Sequence, residues 1–149
     1  MYDKISFMPI SRDEADGDAL FALYKLLLYT YIDQTFGWED DFQRDRFDTA
    51  YRHCEFTLVK MGSVIAGYFA TKYEQDAVHV SLLFIKPEFQ RKGIGREIMK
   101  TLTAHATAVN RSVTLSCFIC NQPAMDFYKN LGFRVTTKDE YFVSYRWQD

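Results

Sequence analysis

Phe84-Ile85-Lys86-Pro87-Glu88-Phe89-Gln90-Arg91-Lys92-Gly93-Ile94-Gly95-Arg96 is the stretch that decides the fold of this 149-residue chain. It joins the apolar end of a strand to a turn with two glycines and the start of a helix. Glycines let backbone N–H groups approach a ligand closely, and the N–H groups of a first helical turn have no partners within the helix. Together with the positive end of the helix dipole, such groups form an anion site of the kind that binds phosphate. Since three basic side chains lie in the same stretch, it predicts a phosphate-bearing ligand.

Two common phosphate-binding motifs are excluded in this stretch. A dinucleotide fingerprint would need a third small residue where Ile98 stands. A P-loop would need Gly-Lys-Ser/Thr, which the chain does not contain. The remaining pattern is Gln-x-x-Gly-x-Gly.

That pattern and a second block resemble a known family. Gln90-Arg91-Lys92-Gly93-Ile94-Gly95 is similar to the Arg/Gln-x-x-Gly-x-Gly/Ala signature of the GNAT superfamily of N-acetyltransferases. The preceding Ile85–Phe89 resembles that family's Val-x-Pro-x-Tyr lead-in. Asn121–Phe133 resembles its Asn-x-x-Ala-x-x-x-Tyr-x-x-x-Gly-Phe block. Both blocks occur in the family's order and at its usual separation, so the resemblance covers about Val78–Phe133.

The resemblance implies that acetyl-CoA is the co-substrate and that its acetyl group passes directly to a primary amine. It implies that Tyr128 lies near the thioester sulfur and protonates the departing thiolate. No metal is predicted, because Cys117 and Cys120 have the spacing of a zinc-ligand pair but no second pair to complete the site. The backbone of the strand would bind the pantetheine arm, and the loop would bind the pyrophosphate. The cofactor-binding residues implied in this way are Leu83, Phe84, Ile85, Gln90, Arg91, Lys92, Gly93, Ile94, Gly95, Arg96 and Asn121.

The general base is predicted on the strand before the signature. A protonated amine is not a nucleophile, so a base has to accept its proton directly or through water. Members of the family often carry Glu or His on this strand, and here His79 and Ser81 lie on the face that Ile85 shares. The ordinary pKa of histidine suits the role. Ser81 is a candidate to hold a water, and the acids from Glu39 to Asp41 are alternative bases.

An acidic segment is a candidate acceptor site. Residues 33–48 contain six acids and two arginines, whereas residues 86–100 contain five bases and two acids. The first segment would suit a cationic acceptor, and Trp38 and Glu39 are predicted to line its site. The alternatives left open are a solvated acidic face and a tryptophan that packs in the core.

The predicted fold is a mixed α/β (α+β) domain with a largely antiparallel sheet flanked by helices, in the order β-α-α-β-β-β-α-β-α-β over residues 1–149. The strands Ala77–Ile85 and Val113–Cys120 flank a helix and should be parallel. Other predicted elements are helices at 18–34, 38–52, 94–109 and from 121 to 131, and strands at 5–10, 54–60, 64–73 and 141–147, with a short extra strand considered at 133–137.

Composition narrows the class of protein further. Hydrophobic residues make up 48% of the chain, which argues against disorder. The net charge of −2 gives no general attraction to nucleic acid or anionic lipid. Three cysteines, no long apolar run and no signal peptide predict a cytoplasmic protein without disulfides or a membrane span. The family resemblance adds that a homodimer can form. A non-catalytic acyl-CoA-binding sensor and, more weakly, a nucleic-acid-binding module are the alternative functions.

Overall fold

Helices and strands follow each other in nearly the predicted order. The computed structural model describes residues 4–10, 17–52 and 55–149. The strands are β1 (Ile5–Pro9), β2 (Phe56–Met61), β3 (Val64–Tyr73), β4 (Ala77–Ile85), β5 (Ser112–Phe118), β6 (Arg134–Lys138) and β7 (Phe142–Trp147). The helices are α1 (Gly17–Phe36), α2 (Asp40–Ala50), α3 (Ile94–Ala108) and α4 (Gln122–Asn130), with a 3-10 helix at Pro87–Phe89. The main correction is β6, which the ten-element order omitted although a short strand near it was considered.

The seven strands form one sheet in the order β1-β2-β3-β4-β5-β7-β6. The pairs β1/β2, β2/β3, β5/β7 and β6/β7 are antiparallel, so the expected largely antiparallel sheet is confirmed. The pair β4/β5 is parallel, as predicted for strands on either side of α3. Its ladder runs from Ala77 opposite Ser112 to Val80 opposite Leu115, whereas β4 itself continues to Ile85.

The second helix is shorter than predicted at both ends, because its capping residues lie inside the predicted range. Glu39 was expected inside the second helix but caps it instead, because its backbone is extended and its Oε2 accepts a hydrogen bond from the Phe42 N–H at 2.7 Å. The helix ends at Ala50, since Tyr51 is extended as well. The strand predicted to begin at Cys54 begins at Phe56, and Cys54 lies outside the described residues.

Two compact units can be distinguished. The first contains the described residues up to Ala70 together with Leu82–Ile94, and the second contains Thr71–Ser81 together with Gly95–Asp149. The prediction of one domain over residues 1–149 stays a prediction. Within the described ranges, no helix is both long and apolar enough to cross a lipid bilayer.

The core of the first unit is a cluster of aromatic rings. Tyr24, Phe47, Phe56, Tyr68 and Phe84 are each at most 5% exposed, and neighbouring ring centroids lie 5.1–6.1 Å apart. Such pairs add about 0.5–1.5 kcal/mol beyond the burial of their surface. The buried phenols are hydrogen-bonded: the Tyr68 hydroxyl donates to the Leu20 carbonyl at 2.6 Å, and the Tyr24 hydroxyl donates to Gln43. Gln43 is buried for this reason, although it is polar.

The strands β3 and β4 approach each other very closely at Gly67. A β-carbon at position 67 would lie 2.0 Å from the carbonyl oxygen of Phe84 and 3.0 Å from the Cα of Ile85. One residue earlier, the Ala66 carbonyl accepts a hydrogen bond from the Lys86 N–H at 2.8 Å. Glycine in a strand often marks such an approach of two backbones, and here it fixes the position of the end of β4.

The core of the second unit is built from α3, β4, β5 and β7, together with Phe133 just before β6. The predicted helical period is confirmed, because Ile98, Leu102 and Ala106 are buried at a spacing of four residues, and Met99 joins them. Val109, the last residue of the predicted helix, is 42% exposed and lies beyond the end of the helix. Other apolar side chains buried in this unit are Val78, Val80, Val113, Leu115, Tyr128, Phe133, Val143 and Tyr145. Burying side chains of this size contributes about 1.5–3 kcal/mol each.

Candidate functional site

The loop between β4 and α3 has the backbone geometry of an anion-binding turn. After the 3-10 helix, Arg91 has φ 61° and Gly93 has φ 80°, so both residues adopt the left-handed conformation within one short turn. No atom lies within 4 Å of the place that a β-carbon of Gly93 would occupy. Backbone conformation, rather than lack of space, therefore accounts for this glycine. Successive N–H groups in such turns form concavities that bind anions.

The second glycine of the signature has a different role in the structure. A β-carbon on Gly95 would lie 3.3 Å from Cζ of Phe127, which is a tight contact. Gly95 thus allows α3 to approach the ring of Phe127 on α4. The sequence prediction assigned both glycines to ligand approach, and the structure provides packing as the local reason for Gly95.

The charge at the loop agrees with a phosphate ligand. Arg91, Lys92 and Arg96 are all exposed, and they surround the N-terminus of α3 in the sequence. The helix is anchored there by Ile94, which is 2% exposed. Backbone N–H groups, the helix dipole and three exposed cations are the donor set that a diphosphate requires. The residues present therefore fit the pyrophosphate of coenzyme A.

Gln90 stabilises the end of β4 in this structure. Its Nε2 donates a hydrogen bond to the carbonyl oxygen of Ile85 at 2.9 Å. The signature glutamine thereby connects the turn to the strand residue whose backbone is predicted to bind pantetheine. A direct contact of Gln90 with the cofactor stays a prediction, as do those of Leu83, Phe84 and Ile85.

The half-buried face of β4 carries the two candidates for the base. Residues 79, 81, 83 and 85 are half-buried, while residues 78, 80, 82 and 84 are buried, so the predicted alternation is confirmed. The Nδ1 of His79 lies 2.9 Å from Oγ1 of Thr114, the residue opposite it on β5. Burial lowers the pKa of His79, and the charges of Glu74 and Lys72 act in opposite directions on it. The imidazole is therefore neutral at pH 7 and able to accept a proton.

Ser81 lies two residues further along the same face. Its hydroxyl oxygen is buried, and it has no hydrogen-bond partner among the described residues. A buried hydroxyl without a hydrogen bond destabilises a folded protein by about 1–3 kcal/mol. Unless the Ser81 hydroxyl gains a partner when water or a ligand binds, the fold carries this destabilisation. Water binding by Ser81 stays a prediction.

The helix α4 carries the candidate acid. Tyr128 is buried, and its ring contacts Phe127, Phe133 and Tyr145 with centroids 5.1, 5.7 and 6.1 Å away. Burial, and to a lesser extent the neighbouring Cys117, raises its pKa well above the ordinary value of tyrosine. A phenol in such surroundings keeps its proton at neutral pH, which a proton donor requires.

The residues next to Tyr128 in the second unit have structural roles. Asn121 caps α4, because its Oδ1 accepts from the Ala124 N–H at 3.2 Å. Its amide NH2 group offers two further donors for a ligand.

Burial raises the pKa of Cys117 to about 11, so the thiol is protonated and unreactive at pH 7. Among the described residues, no three His, Cys, Asp or Glu side chains form a group that could hold a metal ion.

The acidic segment is largely engaged in local structure. Asp40 forms an ion pair with Lys25 at 2.6 Å and accepts a hydrogen bond from Nε1 of Trp38 at 2.9 Å. Both contacts lower the pKa of Asp40, and the contact with Lys25 has the larger effect. Asp33 accepts from the backbone N–H of Trp38, and Glu39 is the cap of α2. Two further acids of the segment, Asp41 and Asp45, lie exposed on α2.

Trp38 is half-buried at the edge of an aromatic group on α1. Its ring lies 5.2 Å from that of Tyr29, 6.2 Å from that of Phe21 and 6.3 Å from that of Tyr24, and the Lys25 ammonium is 5.7 Å from its centroid. Trp38 therefore packs against the helix and keeps an accessible face, and its role in an acceptor site stays a prediction.

Three residues that contact the candidates were not found from the sequence. They are Thr114 beside His79, Phe127 beside Gly95 and Lys25 beside Asp40. Each contact depends on the register or packing of two distant elements, which local periodicity does not determine.

The comparison with protein families decides the membership. The profile of the Acetyltransferase (GNAT) family matches residues 20–133, which is most of the chain. The chain belongs to the GNAT family. In this GNAT chain, the matched range includes the loop, His79 and Tyr128.

Named relatives of this GNAT chain are acetyltransferases. It is 37% identical over 62 residues to a peptidyl-lysine N-acetyltransferase, YjaB, of Salmonella typhimurium, a match that covers 42% of this chain and 40% of that protein. The chain therefore matches less than half of the length of this bacterial relative. It is 26% identical to a thialysine N-epsilon-acetyltransferase of Sus scrofa, with coverage of 92% of this chain and 91% of that protein.

Solved structures share the fold over almost the whole chain. The PaiA N-acetyltransferase of Thermoplasma acidophilum, solved in complex with coenzyme A, has a TM-score of 0.78 at 14% identity and covers 98% of this chain and 99% of that one. An acetyltransferase of Thermus thermophilus has a TM-score of 0.72 at 21% identity, with 99% of each chain covered. These likenesses show the GNAT fold, which agrees with the predicted fold class.

Proposed function

We propose that this GNAT chain is an N-acetyltransferase that moves an acetyl group from acetyl-CoA to a primary amine. The observation that carries the proposal is the loop of residues 90–96, with its two left-handed residues and its three exposed cations at the N-terminus of α3. Family membership and the N-acetyltransferase names of the relatives support it.

The loop would bind the pyrophosphate of acetyl-CoA. Backbone N–H groups from Arg91 to Gly95 would donate hydrogen bonds to its oxygens, and Arg91, Lys92 and Arg96 would offset its charge. Leu83 and Ile85 would offer backbone groups to the pantetheine arm. When bound, acetyl-CoA supplies an acetyl group that is already activated as a thioester.

The two titratable candidates suit opposite proton transfers. The acceptor nitrogen has to lose a proton as it forms its bond to the acetyl carbon, and the neutral imidazole of His79 would accept this proton, directly or through water at Ser81. The bond from the acetyl carbon to sulfur then breaks, and the phenol of Tyr128 would donate its proton to the leaving sulfur. Because the acceptor begins as an ammonium, one further proton has to leave it for solvent before the nitrogen attacks, and the proton that His79 then gains equals the one that Tyr128 gives up.

A lysine-like side chain is the acceptor class that we propose. Both named relatives act, by their names, on the amine of a lysine or a thialysine. An ammonium on a flexible apolar stem would suit an exposed acidic and aromatic surface, to which the exposed Asp41 and Asp45 and the half-buried Trp38 would contribute. A homodimer, a cytoplasmic location and the absence of nucleic-acid binding stay predictions.

Calorimetric titration with acetyl-CoA tests the proposal first. The variant Arg91→Glu/Arg96→Glu reverses two exposed loop charges, and Arg134→Glu/Lys138→Glu on the exposed strand β6 makes the same change in net charge elsewhere. The loop variant should bind roughly tenfold or more weakly, because each charged hydrogen bond contributes about 1.5–3 kcal/mol, while the β6 variant should bind like the parent.

Turnover is then measured as release of free thiol with a lysine-containing peptide, free thialysine and a polyamine. Acetylation of at least one amine is the expected result. Binding of acetyl-CoA without turnover on any of them would favour an acyl-CoA-binding sensor instead. Absence of binding would contradict both functions.

A further inference from the structure

The hydroxyl of Thr114 is placed against the inner nitrogen of His79. The two residues lie opposite each other in the parallel ladder of β4 and β5, and Oγ1 is 2.9 Å from Nδ1. Both side chains are half-buried, so water competes only partly for this contact. The β-branched threonine has few side-chain rotamers, which keeps its hydroxyl in place.

The charges near this pair largely offset one another, so the specific interaction at Nδ1 is the one with the Thr114 hydroxyl. Glu74 and Lys72 act on His79 with opposite signs. On the other side of β5, Arg146 of β7 lies opposite Thr114, and its guanidinium is 3.9 Å from the Asp76 carboxylate. Thr114 thus separates the imidazole from an arginine whose charge is partly balanced by Asp76.

The direction of this hydrogen bond follows from the chemistry of a base. A histidine that has accepted a proton carries N–H groups at both ring nitrogens, so a group beside Nδ1 can then only accept a hydrogen bond. A hydroxyl that already accepts from Nδ1–H before the reaction needs no reorientation when the imidazolium forms. The other nitrogen, Nε2, then keeps its lone pair for the substrate proton.

We infer that Thr114 is a positioning residue for His79, with Oγ1 accepting a hydrogen bond from Nδ1–H so that Nε2 is the nitrogen that takes the proton of the amine. This inference rests on the proposed function, in which His79 is the base. Thr114 does not touch the reacting atoms in this scheme. It selects the tautomer of His79 and stabilises its protonated form.

Imidazole NMR of the whole chain tests the tautomer without any turnover. The chain has three histidines, so the signals of His79 can be assigned by comparison with His79→Gln. Long-range proton–nitrogen correlation spectra at a pH where the ring is neutral should show the proton on Nδ1. Thr114→Val, which removes only the hydroxyl from a side chain of similar shape, should change this pattern, and Thr114→Ser should keep it.

Kinetics test the catalytic consequence with the same variants. Because the hydroxyl stabilises the imidazolium, Thr114→Val should move the acid limb of kcat/KM to lower pH and reduce its plateau roughly tenfold, the effect of about 1.4 kcal/mol. Thr114→Ser should retain both values. Thr101→Val, which removes an exposed hydroxyl from α3, is the matched control and should behave like the parent.

Two results would overturn the inference. One is a parent protein whose neutral His79 carries its proton on Nε2, and the other is an active enzyme in which Thr114→Val leaves the pH profile and the plateau unchanged. A parent that shows the expected tautomer but acetylates no amine would instead reject the proposed function, and the catalytic role of Thr114 with it.

Discussion

The ring of Phe127 lies so close to Gly95 that a β-carbon at position 95 would come within 3.3 Å of the phenyl Cζ. The second glycine of the signature therefore fits the fold for a reason that involves α4 rather than the ligand. A double-mutant cycle with Phe127 can separate two effects of a substitution at position 95, namely the gain in helix propensity and the crowding against the ring. Alanine should gain about 0.5–1 kcal/mol from its better helix propensity but lose a similar amount to crowding against the ring.

We expect Gly95→Ala to be close to neutral in the parent and stabilising by about 0.5–1 kcal/mol in a Phe127→Ala background, measured by urea unfolding. Gly95→Val should lose about 1–3 kcal/mol because it overpacks the contact. Equal effects of Gly95→Ala in the two backgrounds would show that the ring does not limit this position.

Gly93 should respond to substitution in a different way. Its φ of 80° is the cause, since nothing lies where a side chain would begin. Gly93→Ala should destabilise the chain by about 1–2 kcal/mol, and Gly93→Asn by less, because asparagine tolerates the left-handed conformation. Urea unfolding midpoints of the two variants give the comparison. An alanine variant as stable as the asparagine variant would contradict the assigned backbone conformation.

Activity should depend on pH through His79. Burial places its pKa below the ordinary value of 6.5, so the base is lost only when the pH falls below that value. The acid limb of kcat/KM should therefore lie below pH 6.5, and His79→Gln should remove the limb together with most of the activity. A His79→Gln variant that keeps the parent profile would indicate that another group, such as Asp41, is the base.

Removal of the Tyr128 hydroxyl should reduce kcat more than it changes KM. Tyr128→Phe should keep the stability to within about 1 kcal/mol, because the ring contacts with Phe127, Phe133 and Tyr145 remain, while kcat should fall roughly 100-fold. Since burial raises the pKa of Tyr128, its ionisation should cause no loss of kcat up to about pH 10. Steady-state rates from about pH 6 to 10 measure both effects, and an unchanged kcat would exclude Tyr128 as the acid.

Removing the exposed acids of α2 should change the KM for the acceptor amine rather than the KM for acetyl-CoA. Asp41→Asn/Asp45→Asn should raise KM for a lysine-like acceptor a few-fold at low salt, with a smaller effect at high ionic strength because salt screens exposed charges. Glu140→Gln/Asp149→Asn removes two exposed charges from another part of the sequence and serves as control. Equal KM values for both double variants would leave the acidic segment as a solvated face.

Local signals in the sequence predicted most of the elements and the turn between β4 and α3. The alternation along β4 placed His79 and Ser81 on one face, and the glycines with their basic neighbours located the loop. The start of the second helix was placed two residues too early, because Glu39 has an extended backbone and caps the helix through its bond to Phe42. The contact of His79 with Thr114 could not be derived, since a parallel ladder can shift in register without changing either strand's own pattern.

The close approach at Gly67 also has a consequence for mutational scanning. Every other amino acid would place a β-carbon 2.0 Å from the carbonyl oxygen of Phe84, so each variant at position 67 has to push β3 away from β4. In a library selected for acetylation, position 67 should be depleted for every substituent and every acceptor amine alike. Position 67 would thus show how strongly a folding defect alone depletes a variant. Depletion at Trp38 or Asp41 that changes with the acceptor amine can then be recognised as an effect on acceptor selectivity.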